Sequence, residues 1–222
     1  MSTYYGYTVD GIFQNAADVA ASTQDGAVIG RFKWKDLNGD KKIDNNDKSV
    51  IGDPNPDLVY GLNLGINYKN FDFTVFLQGT VGSQNFNYTK YFTDFNGFTG
   101  HRTKRMLYES WTPDNRNAKL PQLNALDGTS FLPSSYYVED ASYLRARTVQ
   151  LGYRFPNSLL SKAKIDNARI YIQGQNLFTI TKYQGLDPAL GTRTNSTEQW
   201  TGLDYGNYPA ARVIMIGLNV SL

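Results

Sequence analysis

Alternation of apolar and polar residues with a period of two is the feature that most constrains this chain. Between Tyr60 and Lys69, apolar residues stand at the even positions, and Gly, Asn and Lys stand at the odd positions. This pattern indicates a β-strand with one apolar and one polar face, because successive side chains of a strand point to opposite sides. The sequence therefore predicts an all-β fold. The predicted strands lie near 58–69, 71–81, 143–155, 168–180 and 211–222.

The run at 143–155 contains a change of phase. Apolar residues up to Ala146 alternate in one phase, and those from Val149 onward alternate in the other. One extra residue between the two halves would restore a common face, which is the effect of a β-bulge. The sequence therefore predicts a bulge near Arg147 or Thr148.

The connections between the predicted strands alternate in length. They are short at 69–70 and 156–165, but about sixty residues long at 82–141 and about thirty at 181–210. Compact soluble domains rarely contain such long connections, whereas outer-membrane barrels combine short periplasmic turns with long external loops. Strands of about 9–11 residues also suffice to cross a bilayer when tilted. We therefore expect antiparallel up-and-down strands of a transmembrane β-barrel, with 1–57 as an extracellular loop region and 58–222 as barrel strands with two long outer loops.

Composition excludes several kinds of site. The chain has no Cys, which excludes disulfides, thiolate metal sites and cysteine nucleophiles. His101 is the single histidine and lies in a polar stretch, so we expect a solvent-exposed loop residue and no enzyme. The net charge is only +2 and the basic residues are scattered, so no nucleic acid is expected as a partner. Aromatic residues make up 14% of the chain, and those near strand ends suit the two membrane interfaces.

The start of the chain lacks the basic and apolar regions of a signal peptide. We therefore expect either that it begins within a longer protein or that it does not cross the inner membrane.

Residues 36–47 have the ligand spacing of a calcium-binding loop. Oxygen-bearing side chains fall at loop positions one, three, five, nine and twelve, and a backbone carbonyl would serve at position seven. The candidate ligands are Asp36, Asn38, Asp40, the Lys42 carbonyl, Asp44 and Asp47. Two departures are Lys41 where a sharp turn favours Gly, and Asp rather than Glu at position twelve. A structural calcium ion is predicted, and an Asx-rich surface turn is the alternative.

Several stretches resemble, in order along the chain, the SusC/RagA family of TonB-dependent transporters. The matching stretches are GIFQN at 11–15, DLNGD at 36–40 with ID at 43–44, IGDPNP at 51–56, YGLN at 60–63, FDF at 71–73, SYLR at 142–145, LGY at 151–153, QNLF at 175–178, GLDP at 185–188, YP at 208–209 and GLNV at 217–220. The alternation that ends at Leu222 is also similar to the C-terminal strand signal of outer-membrane proteins, although members of that group commonly end in Phe.

The resemblance implies a large barrel of about 22 strands with an internal plug in the bacterial outer membrane. It also implies a SusD-like surface lipoprotein and TonB as partners, and the import of oligosaccharides or peptides. This chain would supply about five strands of the C-terminal portion. Five strands cannot close a barrel, whose minimum is about eight, and nothing in the chain resembles a plug or a TonB box, so it is not expected to transport alone.

Two other interpretations remain open from the residues. The first is a soluble, calcium-stabilised β-domain that binds glycans on exposed aromatic residues such as Trp111 and Trp200, because sugar rings stack on aromatic faces. The second is a β-rich hydrolase that uses loop carboxylates.

Overall fold

The computed structural model describes residues 3–95, 103–124, 127–190, 192–194 and 199–221. The strands are β1 (Tyr4–Tyr7), β2 (Val9–Ile12), β3 (Phe32–Trp34), β4 (Lys48–Gly52), β5 (Leu58–Tyr68), β6 (Phe71–Val81), β7 (Gln84–Asn87), β8 (Val138–Asp140), β9 (Tyr143–Arg154), β10 (Asn167–Gln175), β11 (Thr179–Thr181), β12 (Thr192–Thr194), β13 (Gln199–Thr201), β14 (Leu203–Asp204) and β15 (Val213–Ser221). The helices are α1 (Ala16–Ala20), α2 (Thr89–Thr93), α3 (Lys104–Tyr108) and α4 (Asn157–Leu160). No helix among these described residues is long and apolar enough to cross a membrane.

The principal sheet contains the long strands in the order β15-β10-β9-β6-β5, and β11 adds to β9. All of these pairs are antiparallel. Each long strand lies beside the next long strand of the sequence, as in an up-and-down arrangement. The prediction of an all-β, antiparallel fold is therefore confirmed, and the sheet is open, with β5 and β15 at its edges.

The register aligns the apolar residues of neighbouring strands. Ile66, Phe73, Leu151, Ile172 and Ile216 oppose one another in a row that crosses all five long strands. Residues that oppose one another directly share a face of the sheet. The next residues along these strands form a row on the other face, which consists of Gly65, Thr74, Gln150, Gln173 and Met215. The two faces follow the alternation in the sequence.

The predicted bulge is present in β9. Phe76 opposes Thr148, while the following residue Leu77 opposes Ala146, so Arg147 is left without a partner in the register. An extra residue in one strand moves the side chains on either side of it into a common phase. This position confirms the bulge that the change of phase predicted.

The single strand predicted near 168–180 is interrupted in the structure. β10 ends at Gln175 and β11 begins at Thr179. Between them Asn176 has a φ of 50°, a left-handed conformation that Asn tolerates better than most residues. Its side-chain Nδ2 donates to the Ala211 carbonyl at 3.0 Å, and its backbone N donates to the Arg147 carbonyl at 3.1 Å. The interruption thus lies beside the bulge of β9.

The two short turns of the sheet are also connected. Lys69 has a φ of 53° in the tight turn between β5 and β6. The next residue, Asn70, donates through Nδ2 to the Arg154 carbonyl at 2.7 Å, and its own carbonyl accepts from the Arg154 backbone N at 2.8 Å. Asn70 therefore extends the pairing between β6 and β9 by one residue before the first residue of β6, Phe71.

The chain divides into two compact units. The strand unit contains Pro56–Ser83, Ala141–Ala189 and Tyr208–Leu222, and the loop unit contains Met1–Asn55, Gln84–Asp140 and Leu190–Asn207. The two long connections between strands therefore group with the N-terminal segment.

The loop unit has an aromatic core of its own. The core residues are Phe32, Trp34, Phe86, Phe95 and Tyr137. The rings of Phe86 and Tyr137 stack with centroids 5.0 Å apart. Short strands frame this core as the pairs β1–β4, β2–β3 and β7–β8, and β14 pairs in parallel with β7. Aromatic stacking and burial therefore stabilise a part of the chain that contains little regular structure.

We predict that Asn176→Ala destabilises the folded protein by about 1–3 kcal/mol, because it removes the Ala211 hydrogen bond and places a Cβ-bearing residue without a local polar group at positive φ. Asn176→Gly should cost less, because Gly adopts this backbone conformation freely. The comparison is made by denaturant unfolding of the full-length protein. Equal losses in the two variants would show that the left-handed backbone contributes nothing.

Candidate functional site

The acidic loop lies between β3 and β4, and its first carboxylate organises the backbone that follows. Asp36 Oδ1 accepts from the Gly39 N at 2.7 Å, and Asp36 Oδ2 accepts from the Lys41 N at 2.9 Å. Lys41 has a φ of 63°, so the position where a Gly was expected does adopt a left-handed turn. Its carbonyl accepts from the Thr23 hydroxyl at 2.7 Å, which connects the loop to the segment after α1.

The next two candidate ligands form a turn of the same kind. Asn38 Oδ1 accepts from the Asp40 N at 3.0 Å, and Asn38 Nδ2 donates to Asp40 Oδ2 at 3.0 Å. Asp40 Oδ1 in turn accepts from the Lys42 N at 2.8 Å. Side chains of Asn and Asp commonly bond to the backbone two residues ahead in this way. The contacts describe an Asx-rich turn in which carboxylate oxygens face amides.

The end of the loop is a capping box. Asp44 Oδ1 accepts from the Asn46 N at 2.7 Å, and Asp47 Oδ2 accepts from the Asp44 N at 2.9 Å. The other oxygen of Asp47 accepts from the Leu37 N at 2.8 Å. Asp47 is fully buried, with an exposed fraction of 0%. It therefore joins the two ends of the loop from the inside.

These amides determine the ionisation of Asp47. The hydrogen bond from the Asp44 backbone lowers the pKa of the Asp47 carboxyl, and bonds from the Leu37 and Asn38 backbones add to it, so that together they outweigh the opposing effect of burial. Hydrogen bonds to the charged form favour ionisation. The loop conformation therefore depends on the ionised form of Asp47.

The loop brings all six predicted ligands into one segment without directing their carboxylates to a common point. Within the part of the chain that the structure describes, no group of three or more His, Cys, Asp or Glu side chains is placed to hold a metal ion. Both oxygens of Asp36 and both oxygens of Asp47 already accept from backbone amides. Calcium binding by the predicted set of Asp36, Asn38, Asp40, the Lys42 carbonyl, Asp44 and Asp47 stays a prediction.

One face of the principal sheet presents a broad apolar surface. The exposed fraction is 61% for Ile66, 45% for Leu151, 47% for Ile172 and 75% for Ile216, which belong to one row across the sheet. Further exposed apolar residues on this face are Leu62, Leu64, Tyr68, Phe71, Ile170, Ile214, Leu218 and Val220. A continuous apolar surface of this extent is not stable against water and marks a contact with lipid or with another protein.

The opposite face contains a half-buried ion pair that the sequence pattern did not indicate. Arg169 on β10 donates through Nε to Asp72 Oδ1 at 2.8 Å and through Nη2 to Asp72 Oδ2 at 2.5 Å. The intervening residue of β9 is Gly152, where a Cβ would lie 2.4 Å from the guanidinium. A two-point contact between guanidinium and carboxylate is strong and directional. It connects β6 with β10 across β9.

A second ion pair holds the start of the connection that follows β11. Arg145 donates through Nη2 to Asp187 Oδ1 at 2.5 Å, and both residues are buried. Asp187 also accepts from the Ala189 N at 2.9 Å and from the Ala210 N at 3.0 Å. Burial alone would raise the pKa of the Asp187 carboxyl, but the bonds from Arg145, Ala210 and Ala189 outweigh it and lower that pKa. Both ends of the connection between β11 and β15 thus meet at one carboxylate.

The loop unit contains a third network that sequence reasoning missed. The Tyr136 hydroxyl donates to Asp94 Oδ2 at 2.5 Å, and Arg105 Nη1 lies 3.3 Å from the same oxygen. Burial raises the pKa of Tyr136, and the Asp94 charge raises it further. Lys90 Nζ lies 2.5 Å from Glu139 Oε1. These partners are far apart in sequence and have no local periodicity, so no sequence signal could have found them.

Of the residues considered for glycan binding or catalysis, the structure describes the side chain of Trp111 but not that of His101 or Trp200. Trp111 has an exposed fraction of 5%, and its Nε1 donates to Gln14 Oε1 at 2.9 Å. The expectation of an exposed Trp111 that could stack on a glycan is therefore wrong, because the ring is part of the packed loop unit. His101 lies outside the described residues, as does the side chain of Trp200.

Comparison with curated proteins finds TonB-dependent receptors. The chain is 34% identical to TonB-dependent receptor P3 of Formosa agariphila over 225 residues, which cover 99% of the chain and 22% of the relative. It is 33% identical to TonB-dependent receptor SusC of Bacteroides thetaiotaomicron over 186 residues, which cover 83% of the chain and 17% of the relative. The chain thus spans about a fifth of the length of the curated relatives that it matches.

Comparison with solved structures agrees. The RagAB peptide importer in its 'open-open' state matches with a TM-score of 0.76 and 26% identity, over 99% of this chain and 22% of that chain. The same importer in its 'closed-closed' state matches with a TM-score of 0.71. No protein-family model matches the chain.

We predict that Asp47→Asn loosens the acidic loop, because an amide nitrogen cannot accept one of the two backbone bonds that the carboxylate accepts. The cost should be about 1–3 kcal/mol and should appear as faster hydrogen exchange of residues 36–47 in the presence of a chelator. Because the pKa of Asp47 is lowered on folding, its contribution is complete above the ordinary Asp range and is lost as the pH falls through the lowered value.

The matched control is Asp40→Asn, which changes an exposed carboxylate of the same loop. An equal acceleration of exchange in both variants would contradict a special role of Asp47.

Proposed function

Over the length that it shares with them, the chain belongs to the TonB-dependent receptors of the SusC and RagA kind, and we propose that it forms the C-terminal part of a barrel wall in the bacterial outer membrane together with outer loops. The observation that carries this proposal is the exposed apolar face of the five-stranded sheet. Barrel strands in lipid show such a face on one side and polar residues on the other. Strands β6, β9 and β10 pair on both sides, so their backbone groups are satisfied as a lipid environment requires.

The lengths of the connections support an orientation. The turn at 69–70 and the connection between β9 and β10 lie at one end of the sheet, and the connections of the loop unit start from the other. Short turns on the periplasmic side and long connections on the outside are typical of bacterial outer-membrane barrels. We therefore place the loop unit outside the cell and the C-terminal end of β15 on the periplasmic side.

The complete protein is proposed to import a nutrient. The names of the relatives support energy supply through TonB and a peptide as substrate. A SusD-like surface lipoprotein as partner and a glycan as the other substrate class are proposed from the resemblance in sequence. The chain holds five long strands, fewer than the about eight that a closed barrel needs, and it is proposed to be inactive in transport without the rest of the protein. No catalytic role is proposed for it.

Calcium is proposed as a structural ligand of the acidic loop. The spacing of oxygen atoms and the left-handed turn at Lys41 both suit a loop that wraps around a hard cation. Asp36, Asp40, Asp44 and Asp47 would each turn an oxygen from a backbone amide toward the ion, and Asn38 and the Lys42 carbonyl would complete the shell. A fully wrapped ion has no open coordination position, so the effect would be on loop order and not on chemistry.

The soluble glycan-binding domain is the weaker interpretation. A soluble domain could not leave the apolar face of the sheet in water, and Trp111 is not available as a stacking surface. The relatives do not favour it either. Dependence of the purified full-length protein on detergent separates the two interpretations, since a soluble domain would remain monomeric without it.

We predict that Leu64→Arg destabilises the full-length receptor by about 2–4 kcal/mol in lipid, because Leu64 lies near the middle of β5 on the apolar face. Asn63→Arg is the matched control, since Asn63 is adjacent and belongs to the opposite face. Urea unfolding of the receptor in vesicles measures both. A larger loss for Asn63→Arg would mean that the faces are assigned in reverse.

We predict that calcium raises the melting temperature of the full-length receptor relative to chelator, because an ion that binds only the ordered loop stabilises it by mass action. Asp40→Ala should reduce this calcium-induced shift. In chelator it should change the free energy of unfolding by no more than about 0.5 kcal/mol, since Asp40 is exposed. Identical calcium shifts in wild type and variant would exclude this loop as the site.

A further inference from the structure

A buried lysine, an asparagine and a glutamate meet in the loop unit, beside the turn from β7 to α2. Asn87 is the last residue of β7, Lys90 lies in α2, and Glu139 lies in β8, which pairs with β7. The exposed fraction is 2% for Asn87 and 7% for Lys90, and it is 11% for the Glu139 side chain. An amine, a carboxamide and a carboxylate are therefore enclosed together.

The two side-chain nitrogen atoms contact the same carboxylate oxygen. Lys90 Nζ lies 2.5 Å from Glu139 Oε1, and Asn87 Nδ2 donates to that oxygen at 3.4 Å. A carboxylate in contact with an amine can take its proton as a general base and can then deliver a proton as a general acid. Glu139 is thus in contact with a nitrogen that could attack a carbonyl and with a nitrogen that could leave one.

The side-chain carbonyl of Asn87 is polarised by a neighbouring hydroxyl. Its Oδ1 accepts a hydrogen bond from the Thr89 hydroxyl. A donor at a carbonyl oxygen stabilises the negative charge that develops there when the carbon is attacked. The Asn87 amide therefore has a donor on its oxygen and an acceptor on its nitrogen, which is the arrangement that an acyl transfer requires.

Two further contacts restrain the Lys90 side chain. Its Nζ donates to the Tyr136 carbonyl at 2.9 Å and lies 4.5 Å from the centre of the Tyr136 ring. Reacting groups that are already held together lose less entropy when a bond forms between them. A buried ion pair is also costly to keep charged, so a reaction with neutral products is favoured at this place.

We propose that Lys90 and Asn87 form an intramolecular isopeptide bond, with Glu139 as the proton carrier. Glu139 takes a proton from the Lys90 ammonium, the neutral Nζ attacks Asn87 Cγ, and an Nζ–Cγ bond forms. The bond between Cγ and Nδ2 breaks as Glu139 passes a proton to Nδ2, which leaves as ammonia. Of the three ammonium protons, one stays on the new amide, one leaves with the ammonia and one remains on the Glu139 carboxyl.

The link replaces a buried ion pair by an amide and a neutral carboxyl. Lys90 and Asn87 are three positions apart in sequence, so the link closes only a short loop and restricts the unfolded chain little. Its main effect is to remove a buried charge and to attach the end of β7 to α2. The inference is independent of transport, because every reacting group belongs to the loop unit.

The test is peptide mapping by mass spectrometry of the full-length receptor, purified from membranes, denatured and digested with trypsin. The linked protein should yield the peptide 70–102 without cleavage after Lys90, because trypsin does not recognise an acylated lysine. This peptide should be lighter than its sequence by one ammonia molecule, and fragmentation should not separate Asn87 from Lys90. An unlinked chain yields the peptides 70–90 and 91–102 at the masses of their sequences.

Three variants assign the reacting groups. Lys90→Arg should abolish the loss of ammonia and restore cleavage after position 90. Glu139→Gln should lower the linked fraction of freshly expressed receptor by about tenfold or more, because general acid–base catalysis is lost. The matched control is Lys33→Arg, which should link as wild type does, since Lys33 also pairs with a carboxylate, Asp10 at 3.6 Å, but is exposed.

A wild-type receptor that trypsin cuts freely after Lys90, with both peptides at the masses of their sequences, would overturn the proposal. A loss of ammonia that persists in Lys90→Arg would also overturn it, because a succinimide formed by Asn87 alone would then explain the mass. A Glu139→Gln receptor that is linked as fully as wild type would exclude Glu139 as the proton carrier. If Glu139→Gln does not fold, wild type and Lys90→Arg still decide whether the bond exists.

Discussion

The bulge at Arg147 is the constraint on which the strand unit depends. Side chains alternate between faces, so without the extra residue Arg145 would point to the apolar face of the sheet. The bulge moves Arg145 to the face of Gln78, where it meets Asp187 in a buried ion pair. Asp187 also accepts from the Ala210 N, so one inserted residue positions both ends of the connection between β11 and β15.

Much of the strand unit could be predicted from sequence because its determinants are local. The apolar alternation fixed the positions of the long strands, and its change of phase located the bulge. The alternation did not predict the interruption at Asn176, because β10 and β11 keep apolar residues in the expected places and only the backbone conformation changes. The alternation did not predict the Asp72–Arg169 ion pair either, because the two residues are 97 positions apart in sequence and only the pairing of strands brings them together.

The loop unit was harder to predict for a different physical reason. Its stability comes from aromatic side chains of several segments, such as Phe32, Phe86 and Tyr137, that have no common period. The aromatic residues therefore occupy two kinds of position, the ends of long strands and the packed core of the loop unit. The acidic loop could be predicted in part. The spacing of Asp and Asn indicated its turns, but the direction of each carboxylate depends on which amides the folded backbone presents.

Two glycines of the sheet accommodate a particular neighbour. Leu177 lies over Gly174, and Tyr171 lies over Gly217. The large residue and the glycine of each pair form one unit under selection, because a side chain at the glycine has room only after its partner shrinks. Among related sequences these positions should vary together, and a harmful change at either should be suppressed by a compensating change at the other.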